Sequence, residues 1–350
     1  MLVLAEGFDD WVNDTTSFFY YGTLPFGSNT NSGVTTGTDG GICKLLNNND
    51  VGDYYLNIFV GNQTDLIVGF YIKYSGTAYA GRNLCAFRAW EGTFDYIMGN
   101  VALDSGRLKI SYNNSFTNYV ATGSLLSVNV WYHVEIKFVL GTSGSIEVRL
   151  NGVADCIVTN INTNYSNAGF ISYIQFRSVA ESTYIDDLII MNLLGTEFND
   201  WLGPVYIKKL LGSSVGSYDE FTVQGTLTAT QLIQQTPKPT NHNNYLQKQK
   251  NVDSPILARQ SFFHQTLTTD YQVVGVVQAV YHCTWGLTPN NSVKAFVKNN
   301  VDLLVSDPIN QQASVNPHWD YVYYSKAPDG GAWTPYKLNT SEFGIVMEEA

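Results

Sequence analysis

The side chains that could do chemistry in this chain are few. Five histidines, His133, His242, His264, His282 and His318, form neither an HExxH motif nor a His-x-His pair. No GxSxG elbow, P-loop or GxGxxG after a strand is present. Retaining glycoside hydrolysis needs two carboxylates about 5–5.5 Å apart, and on one strand that means acids two positions apart on the same face. Glu135 and Glu147 are isolated, and Glu91 and Asp95 flank a turn. Asp186 and Asp187 are adjacent, so they point to opposite faces of a strand. These spacings predict no catalytic residues and a protein that is not an enzyme.

Asp186 and Asp187 are also the candidates for a metal site. A calcium ion takes six or more oxygen ligands, and no further acidic cluster completes such a set. The pair therefore reads as a strand start, one Asp capping a turn and the other solvated, with no metal and no cofactor. Trp11, Tyr20, Tyr21, Trp90 and Tyr119 are candidates for glycan binding. Their rings could stack on sugar faces while nearby Asn side chains bond hydroxyls. The same rings could instead fill a sandwich core or a subunit interface.

The elements that position these residues read as strands. In Trp131 to Leu140, Tyr132, Val134, Ile136 and Phe138 alternate with His133, Glu135, Lys137 and Val139, the period of a half-buried strand. Ile146, Val148 and Leu150 repeat the alternation, and Asn151-Gly152 is a two-residue hairpin signal. Leu84 to Trp90 and Phe94 to Val101 form a hairpin around Glu91-Gly92-Thr93. About a dozen short strands precede residue 194, and their regular turn signals predict a sandwich. Tyr271 to Cys283 is apolar enough to be buried on both faces.

Trp131-Tyr132-His133-Val134, Leu150-Asn151-Gly152 and Tyr184-Ile185-Asp186-Asp187-Leu188, in that order, resemble the second half of a concanavalin A-like (laminin G-like) jelly roll. The resemblance implies that the Asp-Asp strand lies near the first strand of the domain. Gly195 to Val205 resembles a junction in structural proteins of tailed bacteriophages. It implies a non-enzymatic component of a phage virion, decorating or cementing the capsid or belonging to the neck, tail or fibre. The alternative is a lectin-like module that binds a host-surface glycan. The expected fold is all-β: a concanavalin A-like jelly-roll sandwich over 1–203, an extended arm or linker over 204–255, and a β-rich domain over 256–350.

Composition narrows the partners. The chain has 350 residues, only 14% of them charged, and a formal net charge of −11. The densest basic patch is Lys208-Lys209, which disfavours nucleic acid. No apolar run reaches membrane-spanning length. Low charge and 23 tyrosines suit packing against other virion proteins and copies of the same chain. Cys43, Cys85, Cys156 and Cys283 are widely spaced and read as buried free thiols. With no signal peptide at the start of the sequence, the expected location is a virion assembled in a reducing host cytoplasm.

Overall fold

The computed structural model describes residues 2–6, 32–36, 42–47, 55–92, 94–113, 115, 118–194, 196, 198–234, 245–247, 257–268, 272–282, 291–309 and 318–349. The chain divides into two units, Met1–Lys208 and Lys209–Ala350. Both are built from antiparallel sheets, so the protein is all-β, a jelly-roll sandwich followed by a second β-rich unit.

Among the described residues, the first unit has fourteen strands: β1 (Leu2–Glu6), β2 (Ser32–Thr36), β3 (Ile42–Asn47), β4 (Tyr55–Gln63), β5 (Asp65–Ser75), β6 (Asn83–Glu91), β7 (Phe94–Asp104), β8 (Arg107–Tyr112), β9 (Ala121–Leu125), β10 (Tyr132–Val139), β11 (Gly144–Leu150), β12 (Val153–Ile161), β13 (Ile171–Arg177) and β14 (Ser182–Asn192). One sheet runs β12-β11-β10-β5-β14-β3-β2, with β1 also on β14. The other runs β4-β13-β6-β7-β8-β9. Leu4 pairs with Ile190 and Glu6 with Leu188, so the first strand meets the Asp-Asp strand as the resemblance implied.

Period-two patterning makes the core. Leu66, Val68, Phe70 and Ile72 of β5, Val134, Ile136 and Phe138 of β10, and Phe87 and Phe176 of the other sheet all point between the sheets. Phe87 stacks on Phe138 at 4.6 Å, and Phe70 meets Phe176 edge-on at 5.0 Å. Gly99 faces this core where a Cβ would lie 2.6 Å from Ile146 Cδ1, so close packing requires glycine there. The β11–β12 turn uses Asn151 (φ 50°) and Gly152 (φ 82°), both left-handed, as a tight two-residue hairpin requires.

In the second unit, β15 (Gly212–Asp219), β16 (Thr222–Gln224), α1 (Ala229–Ile233), β17 (Tyr245–Gln247), β18 (Leu257–His264), β19 (Val276–His282), β20 (Asn291–Lys298), β21 (Leu303–Pro308), β22 (His318–Tyr324), α2 (Pro335–Asn339) and β23 (Glu342–Glu349) follow in order. Five strands form a sheet in the order β15-β18-β23-β20-β21. Thus Gly212–Asp219, inside the segment read from sequence as an arm, is hydrogen-bonded to β18. Glu342 holds it there, accepting from the Ser217 N–H and from the Ser217 and Ser261 hydroxyls. Strand β19 pairs with β22, and Val277 is 36% exposed. The expectation that this run is buried on both faces is therefore corrected: a two-stranded ribbon leaves part of it in solvent.

Candidate functional site

The sequence candidates separate. Trp11, Tyr20 and Tyr21 lie outside the described residues. Trp90 ends β6 and is 51% exposed. Tyr119 precedes β9, half-buried, with the Lys109 ammonium over its ring at 4.7 Å. Asp186 and Asp187 sit on β14, in the other sheet. Cys85 and Cys156 are buried free thiols; burial pushes the Cys156 thiol up to about 12. The Cys43 side chain and Cys283 lie outside the described residues.

Strand register assembles a polar network on the outward face of the six-stranded sheet. Arg88 pairs across strands with Tyr173, Gln175 with both Asn57 and Ala86, Ala86 with Asn100, and Asn100 with Ser111. Directly opposed residues share a face, so one polar row crosses five strands, broken only at Ala86. Arg88 donates through Nε and Nη2 to the Asp95 carboxylate and through Nη1 to Gln175 Oε1 at 2.7 Å. Tyr173 Oη donates to Asp95 Oδ1 at 2.7 Å, and Gln175 Nε2 donates to Asn57 Oδ1 at 2.9 Å. Arg177 Nε donates to Gln175 Oε1 at 2.8 Å. Further along, Asn100 Nδ2 donates to Ser111 Oγ at 2.8 Å, and Asn100 Oδ1 is buried with no donor.

Burial divides this network into support and contact. Arg88, Tyr173, Gln175 and Asn100 are buried. Asp95 reaches solvent, its side chain 37% exposed. Its cross-strand neighbour on the same face is the half-exposed Trp90. Three donors from two buried side chains therefore fix a carboxylate beside an exposed indole. Burial pushes the Tyr173 phenol upward, so it stays protonated as a donor to Asp95. Sequence reading found Trp90 but took Asp95 only as an acid flanking a turn. Its partners Arg88 and Tyr173 come from separate strands, and nothing in their spacing announces the meeting.

The outward face of the eight-stranded sheet is built differently. Residues 198–207 run across it. Their N–H groups from Leu202 and Gly203 donate to Glu135 Oε1 at 3.0 and 3.1 Å, and that of Ile207 donates to Asp187 Oδ1 at 2.8 Å. Tyr206 stacks on Tyr71 at 4.9 Å, and Arg149 lies 4.1 Å from the Trp201 ring centre. Ile67, Ile189 and Met191 pack against Phe198, Trp201, Leu202, Val205 and Ile207. Asp186 and Asp187 straddle a register shift in β14, and both are 3% exposed. Neither is solvated: Asp187 accepts from the Ile207 N–H of the crossing segment, and Asp186 Oδ1 accepts from the Asp187 N–H. Among the described residues, no three His, Cys, Asp or Glu side chains gather to hold a cation.

No protein-family model and no curated protein matches the chain. Among solved structures, the chain is similar to a carbohydrate esterase of a Shiga toxin-encoding bacteriophage, at 17% identity over 46% of this chain and 86% of that one (TM-score 0.34). It is similar to an endo-β-1,4-glucuronan lyase of the fungus Trichoderma reesei, at 14% identity over 45% and 86% (TM-score 0.33). It is similar also to an alginate lyase of a Chlorella virus, at 14% identity over 45% and 88% (TM-score 0.34). At these identities the likeness shows the fold alone. The expectation of a non-enzymatic phage virion component or host-adhesion lectin is corrected to this extent: the three neighbours named are a carbohydrate esterase and two polysaccharide lyases, and at these TM-scores the likeness says nothing of this chain's own activity. The motif behind the phage expectation, Gly195 to Val205, has work within the fold: the Leu202 and Gly203 N–H groups donate to Glu135 Oε1, and Phe198, Trp201, Leu202 and Val205 pack on Ile67, Ile189 and Met191.

Proposed function

We propose that this chain is carbohydrate-active and that a polysaccharide lies on the outward face of the six-stranded sheet, against Trp90 and Asp95. The observation that carries this reading is the exposed Trp90–Asp95 pair backed by the buried Arg88–Tyr173–Gln175–Asn57 network. An indole face covers the apolar face of a sugar ring, and a fixed carboxylate accepts hydrogen bonds from adjacent hydroxyls. Holding Asp95 in place beforehand removes part of the ordering cost of binding.

Electrophoresis through gels containing neutral or uronate-bearing polysaccharides tests the binding, with release of reducing ends as the measure of processing. Retardation by at least one polymer is expected. Trp90→Ala should weaken it about tenfold, the equivalent of about 1.4 kcal/mol. Free migration in every polymer, or an unchanged Trp90→Ala, overturns the reading.

A further inference from the structure

Segment 198–207 crosses the sheet face that carries a buried histidine. His133 and Glu135, two positions apart on β10, are each 1% exposed beneath it. Among the described residues, His133 Nδ1 and Glu135 Oε2 have no hydrogen-bond partner. We propose that segment 198–207 is a pH-gated latch: protonation of His133 lifts it from the eight-stranded sheet while the sandwich stays folded.

The groups around His133 come from every neighbouring element. Tyr71 of β5 lies 4.9 Å from the imidazole ring, and Asp186 of β14 pairs with Tyr71. Glu135 shares the face of β10 and is paired with Arg149 of β11. Beyond these lie Tyr206 of the segment, stacked on Tyr71, Asp187 of β14, bonded to Ile207, and Asp200 of the segment, 3.7 Å from Lys137. Burial pushes the His133 pKa from 6.5 down to about 4. The closed state therefore binds this proton less readily than an open, solvated one. Acidification favours opening, by about tenfold per pH unit from 6.5 to about 4 and roughly 300-fold in all.

Glu135 works in the opposite sense. Burial raises its pKa, against the lowering by the Leu202 and Gly203 N–H groups and by Arg149, so acid favours the closed state through this group. The latch requires the histidine, whose Nδ1 has no partner among the described residues, to outweigh Glu135, which keeps two donors on one oxygen. The segment yields before the sheet because β10 is laddered on both sides, to β5 and β11. The segment forms no strand ladder among the described residues, and its contacts include three N–H groups, a stacked ring and an apolar strip.

Hydrogen exchange of the full chain between pH 7 and pH 4, corrected for intrinsic rates, reads the latch directly. Protection at Leu202, Gly203 and Ile207 should fall by roughly a hundredfold while β5 and β10 remain protected. His133→Phe should keep the segment protected to within a few-fold across the range, and Glu135→Gln should deepen the loss by removing the opposing group. His133→Gln gives the same reading should the phenylalanine variant fail to fold. The latch is overturned if segment and sheet lose protection together, or if the folded His133 variant opens as the parent does.

Discussion

The two sheets of the first unit each turn one face to the common core and the other outward, and the outward faces meet different fates. On the eight-stranded sheet, two carboxylates accept N–H groups from the chain's own residues 198–207, and apolar side chains close over them. On the six-stranded sheet, the carboxylate of Asp95 is satisfied from beneath by Arg88 and Tyr173 and remains half in water beside Trp90. The same chemical group is used inward in one case, as a clamp, and outward in the other, as a contact. The difference lies in where the donors come from. Backbone donors from a crossing segment cover an acid, whereas side-chain donors in the sheet floor present it.

The strongest way to break this comparison is to remove the support under Asp95. Arg88→Met strips the carboxylate of its cationic partner and leaves Gln175 Oε1 without its Nη1 donor. Breaking a largely buried pair on one side costs about 3 kcal/mol, toward the lower end because Asp95 is partly solvated. Denaturant unfolding of the variant should show that loss together with loss of polysaccharide binding. A variant that is destabilised yet binds normally would separate the network from the site.

A smaller effect is expected at the clamp. Tyr206→Ala removes the ring stacked on Tyr71 and should cost the segment about 1 kcal/mol. Hydrogen exchange at residues 198–207 should accelerate several-fold while the core strands are unaffected. Equal acceleration in β5 would mean that the segment is part of the sandwich rather than a cover on it.

The smallest stability effect belongs to Trp90→Ala. Its side chain is half-exposed and its loss should change unfolding by no more than about 0.5 kcal/mol, while binding falls. A large stability loss would make Trp90 a packing residue and remove it from the contact surface.

Much of the architecture was legible in the residues. Alternation in Trp131 to Leu140 gave a strand with Val134, Ile136 and Phe138 inward, and Asn151-Gly152 gave the turn, because period and turn chemistry are local properties. The same alternation gives no hint that the other face of that strand is buried. His133 and Glu135 look like solvent-facing polar positions, yet each is 1% exposed, because residues some seventy positions later return to cover them. Polar composition likewise suggested an extended arm or linker over 204–255, within which Gly212–Asp219 pairs with β18, since backbone hydrogen bonding does not depend on side-chain hydrophobicity.

The site divides along the same line. Trp90 stood out by residue type, since an indole beside a turn is conspicuous in any sequence. Asp95 did not, because a carboxylate acquires a role only from what surrounds it, and its donors lie 7 and 78 positions away, on β6 and on β13 beyond it. By itself the sequence determined the all-β class, the strand faces that make the core, and the turns. The tertiary structure alone decided which outward face is covered and which carboxylate stays in water, because register and chain return bring together groups that no local spacing relates.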